Sequence, residues 1–97
     1  MKSYEGKLFI DGQWKSPLRG GIEEVRSPYN NEVVGIAAVA SLADVELALS
    51  SAVKGAQVWR RTPAHQRFAV MMKAAELADS RVEEMAQLIS SENGKSL

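Results

Sequence analysis

The sequence predicts an α+β fold in two parts, a hairpin and strands over residues 8–39 followed by helices over residues 41–94. Three observations carry this. Asp11-Gly12 sits between two short alternating segments, β-branched residues gather between Val33 and Val39, and from Val45 onward the apolar residues recur three and four apart. The side-chain period therefore changes from that of a strand to that of a helix just after Ala40.

The first element is LFIDGQWK, Leu8 to Lys15. Asp11-Gly12 suits the positive φ angles of a tight type I′ turn, and Phe9 or Ile10 on one arm with Trp14 on the other gives the hairpin a face to bury. Two strands alone are marginal in water, so this one must pack on something. Ser16-Pro17-Leu18-Arg19-Gly20-Gly21 has the composition of a linker. Extended segments at 22–26 and 32–39 flank SPYNN, where Pro28 pushes Ser27 toward extended geometry and Asn30-Asn31 can supply a left-handed residue. Val33, Val34, Ile36 and Val39 favour a strand, with an irregularity expected at Gly35.

Ser41 with Asp44 three residues later predicts a capping box, with a shorter acid than usual. Behind it Val45, Ala48, Leu49, Ala52, Ala56 and Trp59 form one apolar stripe that ends near Arg60-Arg61, and Gly55 weakens it only slightly. Thr62-Pro63 reads as an N-cap and first-turn proline for a second helix, whose stripe is Phe68, Met71, Met72, Ala75 and Ala78. Ser80 with Glu83 predicts a second capping box after a short break at Asp79-Ser80. Val82, Met85, Ala86 and Ile89 then continue the apolar face. The helix is expected to stop with Asn93 or Gly94 in a left-handed conformation and Lys95 near the negative end of the dipole.

Gly94-Lys95-Ser96 looks like the end of a phosphate-binding loop, but the spacing excludes it. Such a loop needs a glycine five positions earlier, where this chain has Ile89, and a strand leading in, where this chain has a helix. Glu92 would also repel the phosphates.

Composition narrows the function classes. Twelve basic and twelve acidic residues cancel, which gives no attraction to nucleic acid or an anionic membrane. No apolar run approaches the roughly 20 residues needed to span a bilayer, and no apolar region follows Met1 as a signal peptide requires. Cytoplasmic location is the expectation. With no cysteine and one histidine, disulfides, thiolate nucleophiles and zinc centres are not expected within these residues. His65 reads as a surface residue of a first helical turn, Phe68, Met71 and Met72 as core, Arg60-Arg61 as cations favoured by a helix C-terminus, and Glu83-Glu84 as an N-terminal charge pair. No acid–base or nucleophilic constellation emerges.

The order of the motifs says more than any one of them. LFIDGQW, VRSPYNNEVVG, ADVELALSSA leading to Trp59, TPAHQR and ENGKSL together resemble the N-terminal portion of the aldehyde dehydrogenase superfamily, over nearly the whole chain. Ser27 stands where the family usually has asparagine, and Ser96 where proline is common; neither position carries the family's chemistry.

The resemblance implies that the strands and the helices at 41–94 are part of a larger α/β fold, the helices belonging to its cofactor-binding domain. It implies a longer parent enzyme that oxidises a small-molecule aldehyde to a carboxylic acid with NAD or NADP. In the family a cysteine thiolate attacks the aldehyde carbonyl, hydride leaves for the nicotinamide, and water hydrolyses the resulting thioester. The cysteine, the general-base glutamate, the oxyanion asparagine and the glycine-containing cofactor motif all lie downstream in the family. The resemblance therefore assigns no catalytic and no cofactor-binding residue to this chain, and the chain alone is expected to be inactive. It implies one site, a monovalent cation held by main-chain oxygens at Val25 and Arg26 and by the Glu92 carboxylate. Family members are commonly homodimers or homotetramers. The alternative from another class is a complete small protein that uses its apolar helix stripes as a non-enzymatic, helix-groove interaction module.

Overall fold

A computed structural model describes residues 5–97, with four strands and three helices among them. β1 (Leu8–Ile10) and β2 (Gln13–Lys15) pair antiparallel, with Phe9 opposite Trp14. The turn is as expected: Asp11 and Gly12 both take positive φ, 55° and 73°. The Phe9 and Trp14 rings meet at a centroid distance of 4.8 Å, tilted by 49°. Ile10 points the other way, toward α1, and is the one buried apolar side chain among the described residues.

β3 (Gly21–Arg26) and β4 (Val33–Val39) form a second antiparallel pair, separate from the first. Asn31, with φ 61°, turns the chain between them. The expected irregularity is a register shift between Val25 and Arg26: Val25 faces Gly35 and Arg26 faces Val33, so Val34 is the extra residue. Gly20 brings the connector against the end of β4. A β-carbon at that position would collide with the Val39 carbonyl oxygen, which is backbone and cannot move aside.

α1 spans Leu42–Arg61, and the Ser41–Asp44 capping box is fully formed. α2 spans Ala64–Ser80 and α3 spans Val82–Asn93. Two of the expected helix starts need correction. Thr62 does not cap α2; its hydroxyl donates to the Val58 carbonyl at 2.8 Å and closes α1, which leaves extended Pro63 (ψ 149°) as the residue before α2. Ser80 does not cap α3 either. Its hydroxyl donates back to the Leu77 carbonyl at 2.7 Å, a bond that keeps it inside α2. The break falls on Arg81 (φ −116°, ψ 17°), whose N–H reaches the carbonyls of Ala78 and Asp79, and no side chain caps α3.

The helices leave most of their apolar surface open. The stripes expected to be core are exposed, Leu49 at 62%, Phe68 at 67% and Met71 at 61% among them. The radius of gyration is 16.7 Å, against about 12.5 Å for a compact chain of this length. The accessible surface is 7881 Å², against roughly 5,500 Å² for a compact protein of this mass.

Candidate functional site

The cation site suggested by the sequence draws on two elements, the end of β3 and the end of α3. At the second of these, Gly94 takes the left-handed conformation (φ 76°) and its N–H bonds the Ser90 carbonyl at 2.9 Å. Asn93 remains helical, and its side-chain oxygen accepts the Lys95 N–H at 2.9 Å. A β-carbon on Gly94 would lie 3.1 Å from Pro28, so the α3 stop sits directly against the turn after β3.

That turn is tightly bonded. Ser27 N–H donates to the Glu32 carbonyl at 2.9 Å and Asn31 N–H to the Ser27 carbonyl at 2.8 Å, while Asn30 Oδ1 accepts from Glu32 N–H at 3.1 Å. Two elements far apart in sequence are thereby held side by side. Val25 and Glu92 line one open groove of about 500 Å³, together with Trp14, Val34, Gly35 and Leu88. The Arg26 side chain is engaged elsewhere, with its guanidinium paired to Glu24 and bonding the Asn31 carbonyl at 2.9 Å. The structure therefore brings Val25 and Glu92 to one groove and occupies the Arg26 guanidinium outside it, leaving the Arg26 main chain as its only contribution to such a site. No cluster of three or more histidine, cysteine, aspartate or glutamate side chains occurs among the described residues.

Other candidates separate. His65 is exposed near the start of α2, and Arg60 and Arg61 occupy the last turn of α1 as their dipole preference suggests. Gly94-Lys95-Ser96 lies at a helix C-terminus, where carbonyls rather than N–H groups face outward, which agrees with the exclusion of a phosphate loop. No described helix is long and apolar enough to cross a membrane.

One polar centre escaped the sequence reading. Asp44 is only 3% exposed and is the one buried charged side chain among the described residues. Within the capping box Oδ2 accepts from Ser41 N–H, and also from Ser41 Oγ, each at 2.9 Å; beyond it, the two carboxylate oxygens accept the Leu18 N–H at 2.9 and 3.1 Å. The Leu18 backbone N–H, then that of Ser41, holds the Asp44 carboxyl below the usual carboxylate range, against the opposing effect of burial. Ser41–Asp44 spacing announced the cap, but nothing local announces a partner 26 residues upstream.

The aldehyde dehydrogenase family profile matches residues 14–97. Malonate-semialdehyde dehydrogenase 1 of Bacillus licheniformis is 35% identical over 88 residues, which is 91% of this chain and 18% of that protein. Vanillin dehydrogenase of Corynebacterium glutamicum is also 35% identical over 88 residues, covering 91% of this chain and 18% of the relative. Among solved structures, an aldehyde dehydrogenase from Bartonella henselae superposes with a TM-score of 0.83 at 29% identity, over 88% of this chain and 18% of that one. An NAD-dependent benzaldehyde dehydrogenase from Corynebacterium glutamicum gives 0.81 at 32% identity, over 94% of this chain and 20% of that one. Each match spans at most a fifth of the relative's length, and the order of motifs, the fold and the family profile agree: the chain belongs to the aldehyde dehydrogenase family, of which it represents a short N-terminal segment.

Proposed function

We propose that residues 1–97 open an NAD(P)-dependent aldehyde dehydrogenase that oxidises an aldehyde to a carboxylic acid, and that they serve it as scaffold while the chemistry is done elsewhere in the polypeptide. One combination carries this reading: a family match over residues 14–97 in a sequence that contains no cysteine. An enzyme of this kind needs a thiolate nucleophile, and none is present in these residues. Gly94-Lys95-Ser96, the run that looks like the end of a phosphate loop, ends a helix and offers no N-terminal amides to a pyrophosphate. The helices at 41–94 then belong to the cofactor-binding domain as supports, and the polypeptide is a cytoplasmic homodimer or homotetramer.

Relatives at closely similar identity carry names as different as malonate-semialdehyde dehydrogenase and vanillin dehydrogenase. Similarity in this segment therefore does not select the aldehyde. The reading is tested by nicotinamide reduction with a panel of aldehydes. The full-length protein is expected to form NAD(P)H and the purified 97-residue chain none. Turnover by the short chain would overturn the scaffold assignment; no turnover by the full-length protein with any aldehyde would overturn the enzyme assignment.

We also propose a monovalent cation in the groove that Val25 and Glu92 share. Main-chain oxygens of Val25 and Arg26 and the Glu92 carboxylate would hold it. The register shift at Val25 and Arg26 disrupts the regular ladder where an oxygen would have to be spared, and hard cations favour oxygen donors. A glutamate in the last turn of α3, where the dipole disfavours it, gains from a cation nearby. Potassium or sodium at tenfold its Kd should stabilise the full-length protein by about 1.4 kcal/mol, and Glu92→Ala should abolish most of that response. Identical responses of the two proteins would remove the site.

A further inference from the structure

The N-terminal hairpin touches α1 through a narrow contact. Ile10 is its only buried side chain among the described residues, and Phe9 and Trp14 are 59% and 52% exposed. What fixes the connector that leads out of the hairpin is a carboxylate. Both oxygens of Asp44 accept the Leu18 N–H, and the same carboxylate accepts from Ser41 and completes the α1 cap. Leu18 itself lies in a crevice with Ala43, Glu46, Leu47 and Ser50, so the connector is laid along the first two turns of α1. At the other end of the hairpin, Ser51 Oγ reaches Asp11 Oδ1 at 3.4 Å, a longer and exposed contact.

We propose that Asp44 is a latch that joins the Leu8–Lys15 hairpin and its connector to α1, so that hairpin docking and the α1 N-terminus form and release as one unit. An ordinary capping acid serves its own helix. This one also serves the Leu18 N–H, 26 residues upstream of it, and its loss leaves that N–H without its acceptor. Asp44 also lines the groove between β1 and α1, together with Leu8, Phe9, Ile10, Val45, Ala48 and Leu49. Glu46 shares the crevice with Leu18, and Asp11, Lys15 and Lys54 line the neighbouring crevice between the hairpin and α1.

Peptide-level amide exchange on the full-length protein separates the latch from a plain cap. Asp44→Asn and Asp44→Ala should speed exchange across residues 8–20 by about tenfold or more. Ser41→Ala removes the hydroxyl that Asp44 N–H bonds at 3.3 Å and that donates to Asp44 Oδ2 at 2.9 Å, but keeps both carboxylate bonds to Leu18 N–H, and should fray the first turn of α1 while residues 8–20 stay protected. Equal loss over 8–20 in the Ser41 and Asp44 variants, or no loss in the Asp44 variants, would overturn the latch. A wild-type measurement covers variants that fail to fold. Protection at residues 16–20, corrected for intrinsic rate, should persist above the usual carboxylate range and vanish only as pH falls through the depressed Asp44 value. Glu46→Gln should leave that profile unchanged; a profile that moves with Glu46→Gln, or protection that never falls, would overturn it equally.

Discussion

At the scale of single residues, backbone conformation and close approach decide what can be exchanged. Gly20 has no room for a β-carbon beside the Val39 carbonyl, and Gly20→Ala should destabilise the full-length protein by about 1–3 kcal/mol in a denaturant titration, through displacement of the connector. Gly94→Ala meets two obstacles, a left-handed φ of 76° and Pro28 at 3.1 Å, and should cost about 1–2 kcal/mol, with the loss centred on the α3 stop. Asp44 gives a pH dependence of definite sign. Its folded carboxyl titrates below the unfolded one, so its contribution is complete above the unfolded value and is lost as pH falls through the folded value. A thermal midpoint that is flat from neutral pH down to about 5 and then drops faster in the wild type than in Asp44→Asn is the expected record. Sequence made the capping role of Asp44 legible because cap and acid are three residues apart. The Leu18 contact was hidden because it depends on where a Pro- and Gly-containing connector returns, which no local pattern encodes.

At the scale of elements, periodicity located every strand and helix, and errors gathered at helix starts. The type I′ hairpin, the strand irregularity near Gly35 and the left-handed stop at Gly94 followed from local residue chemistry. Thr62 and Ser80 were misread for one reason: a hydroxyl near the end of a helix can bond the carbonyl behind it as readily as it can cap the next helix. Two substitutions separate these roles. Ser41→Ala removes a true cap and should cost about 1 kcal/mol, whereas Ser80→Ala removes only a bond back to Leu77 and should change stability by less than about 0.5 kcal/mol. Equal costs in urea unfolding of the full-length protein would restore the capping role of Ser80.

At the scale of the whole molecule, the apolar stripes of α1, α2 and α3 read correctly as helix faces, yet they are exposed rather than core. Periodicity tells which face wants burial and is silent on what covers it. The 16.7 Å radius of gyration and the open groove across α2 and α3, lined by Ala75, Ala78, Val82, Met85 and Ile89, describe a segment whose faces exceed what it can bury by itself. Apolar burial contributes roughly 25 cal/mol per Å², while ordering a residue costs about 1.5 kcal/mol, and with one apolar side chain buried among the described residues the balance is unfavourable. We infer that these faces are completed by the rest of an aldehyde dehydrogenase polypeptide. The most direct test compares amide exchange of the α1 to α3 peptides in the full-length protein and in the purified 97-residue chain, alongside a thermal melt of the latter. Strong protection is expected in the full-length protein, and fast exchange with no cooperative transition in the short chain. Matching protection and a cooperative transition in a monomeric short chain would contradict that inference.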